Sequence, residues 1–360
     1  MIDHDRSPVG RVSRRQTLVN LASLCAGLAF AGRISAQATA PVRRIDVHHH
    51  FFAAAAARKY MATFPTPNPV LQYTPNRSLD ALREAGVEKA FLSSPLPFGD
   101  DRIPNQQDLS VLARESNEYG ARLVADNSGH FGLFAVLPLP DVEASLREIE
   151  YAFDTLHADG VGLVTSYGNR WLGDVAFEPV FDELNRRKAV VYTHPVDAPC
   201  CHNLLPDTTP LTLEWLTDTS RSIFSLINDG AAPGGTKTFV SRATRYADVQ
   251  FIWSHGGGTL LGAVSRFLGA EMANLSAPTA KNTRLYHLRR FFYDTATVAN
   301  PIQMEPLKHL VGSSQILFGS DFPFVPIAVG EIGLQASGFT EEELRAVYFN
   351  NASRLLSHSA

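Results

Sequence analysis

Residues 45–51 read IDVHHHF and form the stretch that decides the fold. Its apolar and β-branched residues predict a buried strand, with the histidines at the carboxyl end. Side chains alternate between the two faces of a strand, so His48 and His50 share one face and His49 takes the other. Two neutral imidazoles on one face form a potential metal site, because burying them without a cation is costly. By itself the pair is a weak indication, since histidine pairs are common on protein surfaces.

Seven more strands follow, separated by stretches with helical periodicity. The eight predicted strands cover residues 44–48, 89–93, 131–137, 160–163, 190–194, 250–254, 291–295 and 315–319. Strands that alternate with helices indicate βα units around a parallel sheet. Eight units are the number that closes a barrel, so we predict an α/β fold of the TIM-like (β/α)8 type.

Helices are predicted from a serine cap at Ser78 and over residues 105–122, 141–156, 178–187 and 259–274. Two proline-rich stretches, residues 58–75 and 197–212, interrupt the pattern and are expected to be loops on the catalytic rim. The second loop contains Cys200 and Cys201. Pairing of adjacent cysteines is strained, so we expect no disulfide between them.

The first 38 residues differ from the rest of the chain. Arg14 and Arg15 precede a weakly apolar stretch, residues 19–31, and small residues at 36–38 suit a signal peptidase. We predict a twin-arginine signal peptide over residues 1–38, a catalytic domain over residues 39–360, and a periplasmic or secreted location. The alternative is an amphipathic helix or a disordered tail. The apolar stretch is shorter than the roughly 20 residues of a membrane span, so no membrane association is expected after processing.

Composition is ordinary for a soluble globular protein and makes a small-molecule partner the default expectation. The 360 residues are 45% hydrophobic and 19% charged, and the net charge is -4. A mild acidic excess does not favour binding to nucleic acid or to anionic lipid. The three cysteines cannot build a disulfide framework and lack the CxxC spacing of structural zinc sites.

Three more polar residues end predicted strands: His194 follows VVYT, His255 follows FIWS, and Asp321 follows ILFGS. In a (β/α)8 barrel this end is the catalytic face. A histidine there is, taken singly, more often a satisfied core residue. Several strands that end in this way together indicate a site.

The motifs IDVHHHFF, VVYTHP, FIWSHGGG and ILFGSDFPF, in this order, resemble those of the amidohydrolase-2 group of the amidohydrolase superfamily. This branch is typified by aminocarboxymuconate-semialdehyde decarboxylase. GLFAVLPLPD at 132–141, DGVGLVTSYGNRWLGD at 159–174 and AFEPVFDELNRR at 176–187 are more similar to the 6-methylsalicylate decarboxylase family. The resemblance extends from about residue 44 to residue 355.

The resemblance implies that His48, His50 and His194 are the nitrogen ligands, and Asp321 the carboxylate ligand, of one divalent ion, usually zinc and sometimes manganese. Three nitrogens and one oxygen suit zinc, although ligand type alone does not exclude manganese. His255 matches the catalytic histidine of the family. Members often form dimers, so a homodimer is compatible with the sequence.

Two reactions remain open. In a decarboxylase of a small aromatic or unsaturated carboxylic acid, His255 or protonated Asp321 would supply a proton to the carbon that loses its carboxylate. In a hydrolase of a lactone, ester or amide, His255 would deprotonate or orient water. We favour the decarboxylase. A binding protein without catalysis, the third possibility, is disfavoured because the ligand set is intact.

Substrate contacts are predicted at Phe52, Tyr167 and Asn169, which lie near the expected rim. Aromatic residues are more often part of a core than of a substrate site, but together they suit a flat apolar ligand. An arginine that binds the substrate carboxylate would support the decarboxylase, and the sequence does not choose among Arg58, Arg77 and Arg170.

Overall fold

Eight parallel strands form the central sheet in the computed structural model, all within two residues of their predicted bounds. In chain order the strands are β1 (Ile45–His50), β2 (Lys89–Ser93), β3 (Phe131–Val136), β4 (Gly160–Val164), β5 (Ser166–Tyr167), β6 (Arg170–Trp171), β7 (Val190–His194), β8 (Gln250–Trp253), β9 (Phe292–Asp294) and β10 (Ile316–Leu317). The short β5 and β6 pair with each other as an antiparallel hairpin. The other eight lie in the order β1-β2-β3-β4-β7-β8-β9-β10.

The structure describes residues 42–53, 72–95, 106–196, 198–201, 204–205, 207–230, 236–237, 240–275 and 279–357. The predicted signal peptide at residues 1–38 lies outside the described residues, as does Arg58.

Backbone hydrogen bonds join β1 to the segment that follows β10. The amide of Val47 donates to the carbonyl of Phe318 (3.0 Å), and the amide of His50 donates to that of Phe322 (2.8 Å). Between them, the amide of Asp321 donates to the carbonyl of His48 (2.9 Å). The sheet therefore closes nearly completely into a barrel, and the predicted (β/α)8 fold is confirmed.

Helices cover the outside of the barrel. They are α1 (Pro75–Glu84), α2 (Gln106–Asp126), α3 (Val142–Asp154), α4 (Glu178–Arg186), α5 (Glu214–Ile227), α6 (Arg242–Arg245), α7 (Leu260–Leu268), α8 (Arg284–Arg290), α9 (Pro301–Val311), α10 (Ile327–Gln335), α11 (Glu341–Arg345) and α12 (Asn351–Leu356). Among the described residues, none of these helices combines the length and the apolar character that crossing a bilayer requires.

The predicted serine cap of the first helix is wrong. The α1 helix begins at Pro75, and the side chain of Thr74 caps it by accepting from the amide of Arg77 (3.2 Å). Proline is well suited to the first turn, where its missing N–H is not needed. Ser78 is instead buried inside the helix, where its hydroxyl bonds to His49.

The helix predicted over residues 259–274 is shorter than expected. It ends at Leu268, because Gly269 adopts a left-handed backbone (φ 56°), and a 3-10 turn over Gly269–Asn274 follows. The α5 helix was not predicted.

The barrel interior is filled below the predicted site. Phe134 stacks between Phe91 and Tyr192, with ring centroids 5.3 Å and 5.4 Å apart. The ring of Tyr192 in turn meets that of His48, at 5.4 Å. The histidines thus rest on an apolar layer, which keeps their surroundings poor in water.

Candidate metal centre

Four side chains from three parts of the barrel meet at its carboxyl end. His48 and His50 come from the end of β1, His194 from the end of β7, and Asp321 from the segment after β10. One ligand atom from each lies within 4.8 Å of all the others, and all four residues are buried. The Nε2 atoms of His48 and His50 are 3.1 Å apart, and the Oδ1 of Asp321 lies 3.3 Å and 3.1 Å from them.

These distances and donors fit one divalent ion. Ligand atoms held tetrahedrally at 2.0–2.2 Å from zinc are separated by roughly 3.3–3.6 Å. The spacings that involve His48, His50 and Asp321 are close to that range. Three imidazole nitrogens and a carboxylate oxygen are ordinary ligands of such ions. A single divalent metal is therefore the group that this arrangement supports.

The electrostatics of the four residues also favour a cation. Burial lowers the pKa of His50 and of His194, which keeps both rings neutral as ligands must be. Burial also acts to lower the pKa of His48, but the carboxylates of Asp294 and Asp321 outweigh it and raise that pKa to about 10. Burial acts to raise the pKa of Asp321, yet His48 and His50 hold it well below its usual value. The two carboxylates thus attract positive charge to this point.

Two site residues have a left-handed backbone, which is uncommon outside glycine. The φ of Asp321 is 69° and that of His255 is 51°. Such conformations persist only where the surrounding contacts hold them, and they are concentrated at functional sites. The glycines after His255 serve the same turn: a Cβ on Gly258 would lie 1.9 Å from the carbonyl oxygen of Leu216.

His255 lies beside the four residues. Its ring centroid is 4.9 Å from that of His48 and 5.9 Å from that of His194. Its Nδ1 lies 3.0 Å from the carbonyl oxygen of Ala296. A carbonyl only accepts, so Nδ1 carries the hydrogen and Nε2 of the neutral ring carries the lone pair. Burial, followed by the charge on His48, lowers the pKa of His255.

Asp294 is a site residue that the sequence reasoning missed. It ends β9, is fully buried, and places Oδ2 2.7 Å from the Nδ1 of His48. Its Oδ1 accepts from the amides of His255 (2.8 Å) and Ala296 (3.0 Å). The signal that could have found it is the one used for Asp321, an acidic residue at the end of an apolar strand.

A second buried network lies on the other face of β1, where His49 was predicted to point. Its Nδ1 is 3.1 Å from Asp46, and its Nε2 bonds to Ser78. Asp46 also accepts from the amide (3.0 Å) and hydroxyl (2.6 Å) of Ser320, next to Asp321. Ser78, His49 and Asp46 have the order of a hydrolase triad, but all three have no exposed surface, so a substrate cannot reach the serine. The network holds the Asp321 segment.

Aromatic rings stand on two sides of the site. The Phe324 ring lies 5.6 Å from that of His50, and Phe52 lies 6.5 Å from it. On another side, the ring of Trp215 in α5 meets that of His194 at 5.7 Å. Phe52 thus lies near the ligands, and Trp215 was missed because the α5 helix was not predicted.

The other predicted substrate residues are not among the contacts of the four ligands. Tyr167 is buried against Phe177 (5.6 Å), and its hydroxyl accepts from the amide of Val164 (3.2 Å). Asn169, in the β5–β6 turn, accepts through Oδ1 from the amide of Cys200 (3.0 Å). It therefore ties this hairpin to the loop after β7.

Neither Arg77 nor Arg170, the two described candidates for binding a substrate carboxylate, is among the contacts of the four ligands. Arg77 is exposed and donates to the carbonyl of Gln72 (2.8 Å), and Arg170 is exposed on β6.

The expectation that no disulfide joins Cys200 and Cys201 is wrong. The structure joins them in a vicinal disulfide. Both lie in the 3-10 turn Pro199–Cys201, with their Cα atoms 3.8 Å apart.

Comparison with known proteins agrees with this geometry. The decarboxylase yanB of Aspergillus niger is 34% identical over 334 residues, which cover 87% of either chain. The 6-methylsalicylic acid decarboxylase of Penicillium expansum is 34% identical over 296 residues, covering 79% of this chain and 86% of that one. A dihydroxybenzoic acid decarboxylase of Polaromonas sp. JS666, solved with manganese and 2-nitroresorcinol, shares the fold with a TM-score of 0.73 at 19% identity, covering 88% and 97% of the two chains. The amidohydrolase family model matches residues 45–357. The chain therefore belongs to the amidohydrolase family.

Proposed function

We propose that this protein is a metal-dependent, non-oxidative decarboxylase, a carboxy-lyase, of a small aromatic carboxylic acid. One observation carries the proposal: a complete buried set of His48, His50, His194 and Asp321, in a chain whose relatives at 34% identity are named decarboxylases. A relative named for 6-methylsalicylic acid supports an aromatic acid with a neighbouring hydroxyl group as the substrate.

We assign the four buried residues as the ligands of one ion. When bound, a divalent ion supplies positive charge that attracts an anionic substrate and offsets negative charge that develops during the reaction. The three nitrogens and one carboxylate favour zinc. Manganese is the alternative, supported by its presence in the Polaromonas structure.

The aromatic rings on two sides of the site would bind a flat substrate. Trp215 stands beside His194, while Phe324 and Phe52 stand beside His50. Packing of a substrate ring against these faces would hold it by dispersion and by exclusion of water. The reacting carbon would then lie near His255, which also adjoins His48 and His194.

Decarboxylation replaces a carbon–carbon bond by a carbon–hydrogen bond. The ring carbon that bears the carboxylate gains a proton, the carbon–carbon bond breaks, its electron pair returns to the ring, and carbon dioxide leaves. We assign His255 as the group that moves this proton. Its Nε2 carries a lone pair that can take the proton of the neighbouring substrate hydroxyl and deliver it to the ring carbon. Asp321 is the weaker candidate, because its pKa is held low.

The hydrolase alternative uses the same residues but has less support. The relatives reported above that carry a reaction in their name are decarboxylases. Hydrolysis therefore enters as an outcome of the substrate test below.

We also propose that the protein is exported. The supporting features are the paired Arg14 and Arg15, the apolar stretch at 19–31 and the small residues at 36–38.

The substrate class is tested with purified, metal-loaded protein. We expect 6-methylsalicylate or a related hydroxybenzoate to yield one carbon dioxide for each acid consumed, measured by gas analysis and chromatography. The same protein after chelator treatment is the control and should be inactive. Acid release from a panel of lactones, without carbon dioxide from any aromatic acid, would show that the protein is a hydrolase.

Replacing Asp321 by Ala should abolish turnover and weaken metal retention, because the only carboxylate of the four ligands is removed. Metal content after dialysis and the rate of decarboxylation are the measurements. Asp182→Ala, which removes an exposed carboxylate on α4, is the matched control and should retain both. The assignment of Asp321 fails if its variant stays comparably active.

Replacing His255 by Asn should leave the metal content nearly intact and lower kcat by about 100- to 10,000-fold, the usual contribution of a positioned acid or base. Elemental analysis and steady-state kinetics are measured on the same preparation. Loss of the metal in this variant would instead identify His255 as a fifth ligand.

Export is tested by replacing Arg14 and Arg15 with Lys in the full chain and fractionating cells of a bacterium with a twin-arginine pathway. We expect the uncleaved chain to remain in the cytoplasm, whereas the Arg11→Lys control is exported and shortened. Equal distribution of both variants would contradict the proposal.

A further inference from the structure

We propose that Asp294 is a positioning residue whose two carboxylate oxygens have separate tasks. Oδ2 orients the metal ligand His48, and Oδ1 holds the turn that carries His255. This inference rests on the proposed metal site and extends it to a residue beyond the four ligands.

The first task follows from the contact with His48. Oδ2 lies 2.7 Å from its Nδ1, and both side chains are fully buried, so water does not compete for the bond. A carboxylate only accepts, so Nδ1 carries the hydrogen and the lone pair of the ring lies on Nε2. That Nε2 is the atom 3.1 Å from the Nε2 of His50. A partner of this kind fixes the tautomer and the orientation of a ligand ring.

The second task concerns the backbone. Oδ1 accepts from the amide of His255 (2.8 Å) and from the amide of Ala296 (3.0 Å). The carbonyl of Ala296 accepts in turn from the Nδ1 of His255 (3.0 Å). Oδ1 of Asp294 therefore binds the backbone of both His255 and Ala296, the two residues whose contact orients the His255 ring. The left-handed backbone of His255 needs such support to persist.

His48 and Asp294 are also tightly packed against the backbone of Gly319. A Cβ built on Gly319 would lie 2.9 Å from the Cβ of His48 and 3.0 Å from that of Asp294. Both approaches are closer than ordinary van der Waals contact, so the two side chains occupy the space next to the Gly319 backbone. Their relative position is thus set by packing as well as by the hydrogen bond.

Asp294→Asn separates the two tasks. The amide oxygen can still accept from both backbone amides, but the NH2 group that replaces Oδ2 faces the N–H of His48, donor against donor. We expect the affinity of the metal-free protein for Zn²⁺, measured by competition with a chromophoric chelator, to fall about 10- to 100-fold. Because the amide oxygen keeps the His255 turn, this loss of zinc affinity reports the contact with His48 alone.

Asp159→Asn is the matched control. This carboxylate accepts from the amide of Leu133 (2.8 Å) just before β4, at the opposite end of the barrel, and its replacement should leave zinc affinity unchanged. Asp294→Ala is a second variant that has no side-chain acceptor for His48, and it should show the same loss of zinc affinity if the Asn variant does not fold. Thermal melting identifies the folded preparations.

Unchanged zinc affinity in a folded Asp294 variant would overturn the proposal. Lost kcat with unchanged affinity would place Asp294 in the chemistry and would overturn it as well. Zinc binding is measured without substrate, so failure of the decarboxylase proposal would leave this result interpretable.

Discussion

Closure of the barrel between β1 and the segment after β10 is the constraint on which the site depends. His48 and Asp321 are 273 positions apart in the chain, yet the amide of Asp321 bonds directly to the carbonyl of His48. The same closure sets His50 beside Asp321, and β7, across the barrel, adds His194. A metal bound by these residues would in turn hold the closure, because it joins the first and last parts of the barrel. Folding and metal binding are therefore expected to stabilise each other.

The buried carboxylates near the closure contact different histidines of β1. On the inner face, Asp294 contacts His48, and Asp321 contacts His48 and His50. On the outer face, Asp46 contacts His49 and Ser320. Buried charge is costly unless it is paired or hydrogen-bonded, and each carboxylate has several partners. The result is a rigid set of donor atoms above the apolar layer of Phe134 and Tyr192, where electrostatic interactions are strong because water is scarce.

The sequence predicted the fold well because parallel barrel strands are buried on both faces and read as continuous apolar runs. Polar residues that end such runs, such as His194 and Asp321, stand out. Asp294 also ends such a run and could have been found in the same way, but its contact with His48, 246 positions away, is not visible in the sequence. Trp215 was missed because its proximity to His194 depends on the path of the loop between β7 and α5. Ser78 was misassigned because the cap at Thr74 lies at the edge of a proline-rich stretch.

Elemental analysis of the purified full chain tests the central claim most directly, with protein concentration determined independently by amino-acid analysis. The account predicts one divalent ion per chain, zinc in the favoured case, in preparations that release carbon dioxide from an aromatic acid. An active preparation without a stoichiometric metal, or one with two ions per chain, would contradict it.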